Sequence, residues 1–77
     1  MKHSRADLDT LSLQITAAAE RIRRQRRLVE TLSAAHQETW KPVQALNGME
    51  ATLSELMIRR DAIALELKLR TLGGQAH

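Results

Sequence analysis

Apolar residues recur at alternating intervals of three and four along both halves of this 77-residue chain, a spacing that keeps them on one face of an α-helix. The first ladder consists of Leu8, Leu11, Ile15, Ala18, Ile22, Gln25, Val29 and Leu32, and the second of Leu46, Met49, Leu53, Leu56, Arg60, Ile63 and Leu67. When the ladders are read in opposite directions, facing residues such as Ile22 and Leu56 have numbers that add to 78. Every facing pair then joins a heptad a position to a d position, as in antiparallel coiled coils. The pattern predicts an all-α fold, a two-helix antiparallel hairpin folded about Thr39.

The boundaries of the two helices follow from capping residues and helix breakers. Ser4 or Asp7 can accept hydrogen bonds from the first-turn amides of helix 1. Thr39 can cap helix 2, whose first turn tolerates Pro42, and the glycines at 73 and 74 are typical of a helix C-terminus. The predicted boundaries are helix 1 at about 6–36, the turn at about 36–41, helix 2 at about 41–72 and a flexible tail at 73–77, all within a single domain, 1–77.

A competing turn lies at Asn47-Gly48, a strong turn dipeptide. This turn would place Pro42 inside helix 1 and break the pairing of Leu32 with Leu46. We therefore expect Gly48 inside helix 2, where a glycine costs about 1 kcal/mol relative to alanine.

Two rungs of the paired ladders are polar. Arg60 faces Ala18, and Gln25 faces Leu53. One interpretation is that both long side chains reach solvent along the edge of the seam. The other is that they set the register of the hairpin at some cost in stability.

Length and composition exclude several classes of protein. A single seam in 77 residues gives a thin core, and the chain has no cysteine for a disulfide or a thiolate metal site. It has no run of 18 apolar residues and no apolar segment of the secretory type near Met1, so we expect a cytoplasmic protein that does not enter a membrane. Twelve basic and nine acidic residues are close to balance, so composition alone does not call for nucleic acid.

Short motifs within residues 15–67 carry a resemblance to a known group of proteins. They are Glu20-Arg21-Ile22, Gln25-Arg26 and Leu28-Val29-Glu30 in the first half, and Met49-Glu50, Thr52-Leu53, Met57, Arg60-Asp61, Ile63 and Glu66-Leu67 in the second. In these motifs the chain resembles small uncharacterised helical-hairpin proteins of rhizobia and related alphaproteobacteria. Its turn, Ala34-Ala35-His36-Gln37-Glu38-Thr39, departs from the Asp-Gly-His-Asp-Thr type of connection usual in that group. The resemblance implies a helical hairpin of bacterial origin and carries no activity, cofactor or partner with it.

The histidines, at positions 3, 36 and 77, offer little chemistry. His36 has only Glu38 nearby, which is too few ligands for a metal site, and no serine or cysteine is placed to form a nucleophile–base pair. We therefore expect no catalytic, cofactor or metal site, and we interpret His36 as a turn residue. Trp40 is expected to cover the closed end of the hairpin; an exposed Trp40 would instead be a contact anchor.

Five arginines cluster in helix 1, at positions 21, 23, 24, 26 and 27. Arg23, Arg24 and Arg27 fall on its outer face and form a possible anion-binding group. Glu20 and Glu30 lie three or four residues from these arginines, so intrahelical ion pairs are expected to occupy much of the cluster. The cluster thus indicates a solvated, salt-bridged face; binding of nucleic acid or another polyanion, or of an acidic protein, is the alternative.

Helix 2 carries a second apolar stripe outside the seam. It consists of Ile58, Ala62, Leu65, Leu69 and Leu72, and helix 1 adds Leu13 and Ala17 at the same open end of the hairpin. A helix that is apolar on two sides is not completed by one partner, and an exposed stripe marks an interface. We expect a homodimer that forms a four-helix bundle, with an unidentified protein as the alternative partner. The charges beside the stripe are mixed in sign, which disfavours an anionic membrane.

These observations predict a non-enzymatic protein-interaction or small regulatory module that acts through the apolar stripe. The alternative is an accessory protein that binds nucleic acid or another polyanion through the helix 1 arginines.

Overall fold

The computed structural model describes residues 3–75 and contains two α-helices. Helix α1 spans Arg5–Ala34 and α2 spans Trp40–Gln75, with a short connection at 35–39. The helices lie antiparallel and form a rod of about 65 × 15 × 15 Å. The predicted all-α helical hairpin is confirmed.

Helix α1 begins with a capping box. The Ser4 hydroxyl accepts a hydrogen bond from the Asp7 backbone N–H, and the Asp7 carboxylate accepts one from the Ser4 backbone N–H at 2.8 Å. This reciprocal arrangement satisfies amides that the helix itself cannot pair. Both residues proposed from the sequence as caps therefore act together.

Helix α1 ends earlier than its sequence predicts. His36 has a φ of 57°, in the left-handed region, and its N–H donates to the Ser33 carbonyl. The Gln37 N–H donates to the Leu32 carbonyl at 2.8 Å, which completes a Schellman motif. The motif closes α1 at Ala34 instead of residue 36, so the connection is centred on Gln37 and not on Thr39.

The earlier turn changes the register of the hairpin. Ala34 and Trp40, which flank the connection, have numbers that add to 74, and the ion-paired residues Arg26 and Glu50 have numbers that add to 76. These sums lie four and two below the expected 78, so the observed register differs from the predicted one by up to one helical turn. In keeping with this shift, Ile22 lines a groove together with Leu53.

The seam itself lies where the ladders predict. Leu11, Ala18, Ile22 and Ile63 are buried, and the remaining ladder positions are half-buried. If one helix slides by one turn, each ladder residue takes the place of its neighbour in the same ladder. The predicted buried face of each helix is therefore correct, although the residues that face each other across the seam change. The core is thin, because no side chain of the described residues falls below 2% exposure.

The two polar rungs of the seam behave differently from each other. Arg60 extends to the surface, where its Nε donates to the Asp61 carboxylate at 3.1 Å, so the solvent-reaching interpretation holds for it. Gln25 instead turns across the hairpin, and its Nε2 donates to the Pro42 carbonyl. This hydrogen bond joins the two helices, as the register-setting interpretation of Gln25 requires.

The glycines of α2 do not break the helix. Asn47 and Gly48 lie within α2, which excludes the competing turn. The expected stop at Gly73 is also wrong, because α2 continues through both glycines to Gln75. Glycine weakens a helix through its backbone entropy, but it keeps its N–H and does not remove a hydrogen bond. Residues 76–77 of the expected flexible tail lie outside the described residues.

Neither α1 nor α2 offers a stretch that is both apolar enough and long enough to cross a membrane.

Candidate interaction surface

The second apolar stripe of α2 faces solvent. It contains Ile58, Ala62, Leu65, Leu69 and Leu72, and we call it the outward stripe. Leu65 lies midway in sequence between the seam residues Ile63 and Leu67, so at 100° per residue it projects directly away from α1. Ile58, Leu65 and Leu69 are 69%, 56% and 58% exposed.

Leu13 does not join the outward stripe. It lies midway between the seam residues Leu11 and Ile15 of α1, so it projects directly away from α2 and is 73% exposed. The outward stripe projects from the other side of the hairpin. A single docked helix cannot cover both, and the single patch expected from the sequence is therefore two separate surfaces.

Charged residues line both edges of the outward stripe. Arg59 and Glu66 lie on one edge, where they share a groove with Ala62 and His3. Asp61 and Lys68 lie on the other edge by helical periodicity. Each edge carries one positive and one negative side chain, seven residues apart.

Glu66 is the centre of a polar cluster at the open end of the hairpin. Its Oε2 accepts hydrogen bonds from the His3 backbone N–H at 3.3 Å and from Arg70 Nη2 at 3.0 Å, and lies 3.2 Å from His3 Nδ1. Partial burial acts to raise the pKa of Glu66, but the hydrogen bonds from His3 and the charge of Arg70 outweigh it and lower this pKa. Arg70 also donates to the His3 carbonyl, so the cluster ties the start of the described chain to α2.

The arginine cluster of α1 is only partly paired. Arg23 Nη2 donates to Glu20 at 2.6 Å, and this hydrogen bond, with the positive charge of Arg23, lowers the pKa of Glu20. Arg26 pairs with Glu50 of α2 at 3.0 Å. The expected pairs between Glu30 and its neighbouring arginines do not form among residues 3–75; of these arginines, Arg26 reaches across the hairpin to Glu50 instead.

Arg24 and Arg27 belong with Arg23 to the possible anion-binding group. Both are exposed, and neither forms a salt bridge within the part of the chain that the structure describes. Among residues 3–75, no carboxylate therefore contacts the guanidinium groups of Arg24 and Arg27.

Trp40 does not cover the closed end of the hairpin. It is the first residue of α2 and is 53% exposed, and the Lys41 ammonium lies 5.5 Å from the centroid of its ring. The expected covering role is wrong. The distance between the Lys41 ammonium and the ring is that of a cation–π contact.

Among residues 3–75, no cluster of three or more histidine, cysteine or acidic side chains could hold a metal ion. His3 and His36 lie at opposite ends of α1, and His77 lies outside the described residues.

No known protein family, curated protein or solved structure matches this chain.

Proposed function

We propose that this chain is a non-enzymatic protein-interaction module that self-associates through the outward stripe of α2. The observation that carries the proposal is the two-sided character of α2. One side packs on α1, while Ile58, Leu65 and Leu69 leave most of their side-chain surface in water. Burial of each of these side chains would be worth about 1.5–3 kcal/mol.

The thin core supports the need for a partner. Only Leu11, Ala18, Ile22 and Ile63 are buried among the described residues. Small domains with so little buried surface usually obtain further stability from disulfides, metals or association. With no cysteine in the chain, association is the route that the outward stripe offers.

A second copy is the partner that fits the stripe. The 4-3-4-3 spacing of the outward stripe is that of a coiled-coil seam, which is completed by a helix with the same spacing. Each copy of the chain presents such a helix in α2. The resulting dimer has four helices, with the two α2 helices in the centre and the two α1 helices outside, so Leu13 stays at the surface.

Sedimentation equilibrium over a range of concentrations tests the proposal. We expect the parent chain to dimerise and Leu65→Glu to shift it to monomer, because the variant places a charge in the centre of the stripe. Leu13→Glu is the matched control: it makes the same change at an exposed leucine outside the stripe, and we expect it to dimerise like the parent.

Two results would contradict self-association. One is a parent chain that stays monomeric at high concentration, which would assign the outward stripe to a different protein. The other is an equal loss of dimer in Leu65→Glu and Leu13→Glu, which would place the contact elsewhere on the rod.

The alternative function is binding of nucleic acid or another polyanion. The exposed Arg24 and Arg27 favour it, because they form no salt bridge within residues 3–75. Affinity from phosphate contacts falls steeply with salt, whereas apolar docking does not. Micromolar binding to duplex DNA at physiological salt that is lost when Arg23, Arg24 and Arg27 are changed to glutamine would favour this function over the proposed one.

Three further expectations stay predictions of the sequence. They are the kinship with alphaproteobacterial hairpin proteins, the cytoplasmic location and a regulatory role.

A further inference from the structure

We infer that the two α2 helices of the dimer run antiparallel, with Ile58 opposite Leu69 of the second copy and Ala62 opposite Leu65 of the second copy. This inference rests on the proposed function and specifies its geometry. In this register every central rung joins a heptad a position to a d position and is apolar on both sides. The small Ala62 faces the larger Leu65, so the rung alternates small and large side chains as close packing favours.

The charges at the edges of the outward stripe select this arrangement. In an antiparallel pair, g positions face g positions and e positions face e positions. Asp61 then lies beside Lys68 of the second copy, and Arg59 lies beside Glu66 of the second copy. Twofold symmetry repeats both contacts, so the interface has four pairs of opposite charge.

Other arrangements of the same stripe bring like charges together. A parallel pair places Asp61 beside Glu66 of the second copy, twice. An antiparallel pair shifted by one heptad in one direction places Lys68 beside Lys68 and Glu66 beside Glu66 across the twofold axis. A shift by one heptad in the other direction places Asp61 beside Asp61 and Arg59 beside Arg59. Opposed like charges disfavour each of these arrangements.

The four charged side chains are available for these contacts. Arg59 and Lys68 are exposed, and the Asp61 side chain is 71% exposed even with Arg60 beside it. Glu66 receives all of its hydrogen bonds from His3 and Arg70 on Oε2, which leaves Oε1 to face Arg59 of the second copy. The dimer therefore forms without breaking the cluster at the open end.

The substitution Asp61→Lys separates the two helix directions. In the antiparallel dimer it replaces two attractive pairs with two repulsive ones, and we expect the dimer dissociation constant to rise about five- to thirtyfold at low salt. In a parallel dimer the same change removes repulsion from Glu66 and tightens association. Adding Lys68→Asp to Asp61→Lys restores opposite charges in the antiparallel dimer and is expected to return the constant to within about threefold of the parent.

Asp9→Lys is the control for net charge. Asp9 lies exposed on α1, and its substitution makes the same change in charge away from α2. We expect it to leave the dissociation constant unchanged. An Asp9→Lys effect as large as that of Asp61→Lys would mean that overall charge, and not the edge of the stripe, controls association.

A spin-label distance measures the geometry directly. The chain has no cysteine, so Ser54→Cys accepts a single label. The antiparallel register separates the two labels by about 30 Å, whereas a parallel pair would bring them to about 10–15 Å. A short distance, or tighter association of Asp61→Lys, overturns the antiparallel inference and leaves the proposed function standing; a parent chain that stays monomeric overturns both.

Discussion

The side-chain amide of Gln25 in α1 donates a hydrogen bond to the backbone carbonyl of Pro42 in α2, with 2.9 Å between Nε2 and O. The contact is partly buried and joins the two helices close to the turn. Pro42 lies in the first turn of α2, so this bond fixes the start of the second helix against the C-terminal third of the first. A polar residue in an otherwise apolar ladder thus forms a directional link that apolar neighbours cannot supply.

Replacing Gln25 tests the value of this link. We expect Gln25→Ala to lower the free energy of unfolding by about 0.5–1.5 kcal/mol, the usual net contribution of one hydrogen bond. Gln44→Ala changes an exposed glutamine of α2 and should have an effect within about 0.5 kcal/mol. Urea titrations of both variants measure the difference. Equal effects would show that the Gln25 amide is no better bonded in the hairpin than in water.

The buried part of the seam should dominate stability. Ile22 is 4% exposed, so Ile22→Ala is expected to lower the free energy of unfolding by about 2–5 kcal/mol through lost burial and a cavity. Leu56 is only half-buried, and Leu56→Ala should cost less. Arg24→Ala, on the exposed face, should change little. Thermal melts rank the three variants, and a larger loss for Leu56→Ala than for Ile22→Ala would contradict the observed burial.

Gly48 offers a stabilising substitution. It lies inside α2, and a Cβ atom built on it would meet no atom within 4 Å. Alanine should therefore fit without strain, and Gly48→Ala is expected to raise the free energy of unfolding by about 1 kcal/mol. Chemical denaturation followed by circular dichroism measures this. A Gly48→Ala variant that is less stable than the parent would show that the groove lined by Gly48 does not accept a methyl group.

Stability at acid pH should depend on Glu66. Its pKa is lower in the folded chain than its ordinary value of 4.5, so the stabilisation is complete above that value and is lost as the pH falls through the lowered pKa. Unfolding free energies measured down this range should therefore fall more steeply for the parent than for Glu66→Gln. Equal slopes for the two proteins would show that the cluster around Glu66 does not persist in solution.

The faces of the hairpin could be predicted from the sequence, but its register could not. Burial of Leu11, Ile22 and Ile63 follows from helical periodicity, because each ladder has only one apolar side. Periodicity does not fix the register, since sliding one helix by a turn exchanges one ladder residue for the next. The left-handed conformation of His36 decides the register by ending α1 at Ala34, and nothing in the ladders reports where that conformation falls.

For the outward stripe, too, one property could be predicted from the sequence and another could not. Its exposed residues were predictable, because Ile58 and Leu65 lie outside the seam period. That Leu13 lies on a different surface could not be predicted, because it depends on how α1 and α2 face each other. The sequence of each helix alone shows only which residues lie opposite its own seam. Glu50 and His3 as partners of Arg26 and Glu66 were also missed, since contacts 24 and 63 residues apart in sequence depend on the register.

The rod-like shape of the hairpin affects how it moves through solution. Its radius of gyration is 17.9 Å, whereas a compact domain of the same length would have about 11–12 Å. A single chain should therefore experience high friction and elute from a gel-filtration column earlier than its 8.7 kDa mass would imply. Pairing two rods through α2 doubles their thickness in one direction, whereas the offset of the antiparallel register adds only about 18 Å to a length of 65 Å. The frictional ratio should consequently fall on association, and sedimentation velocity would detect the dimer by its more compact hydrodynamic shape as well as by its mass.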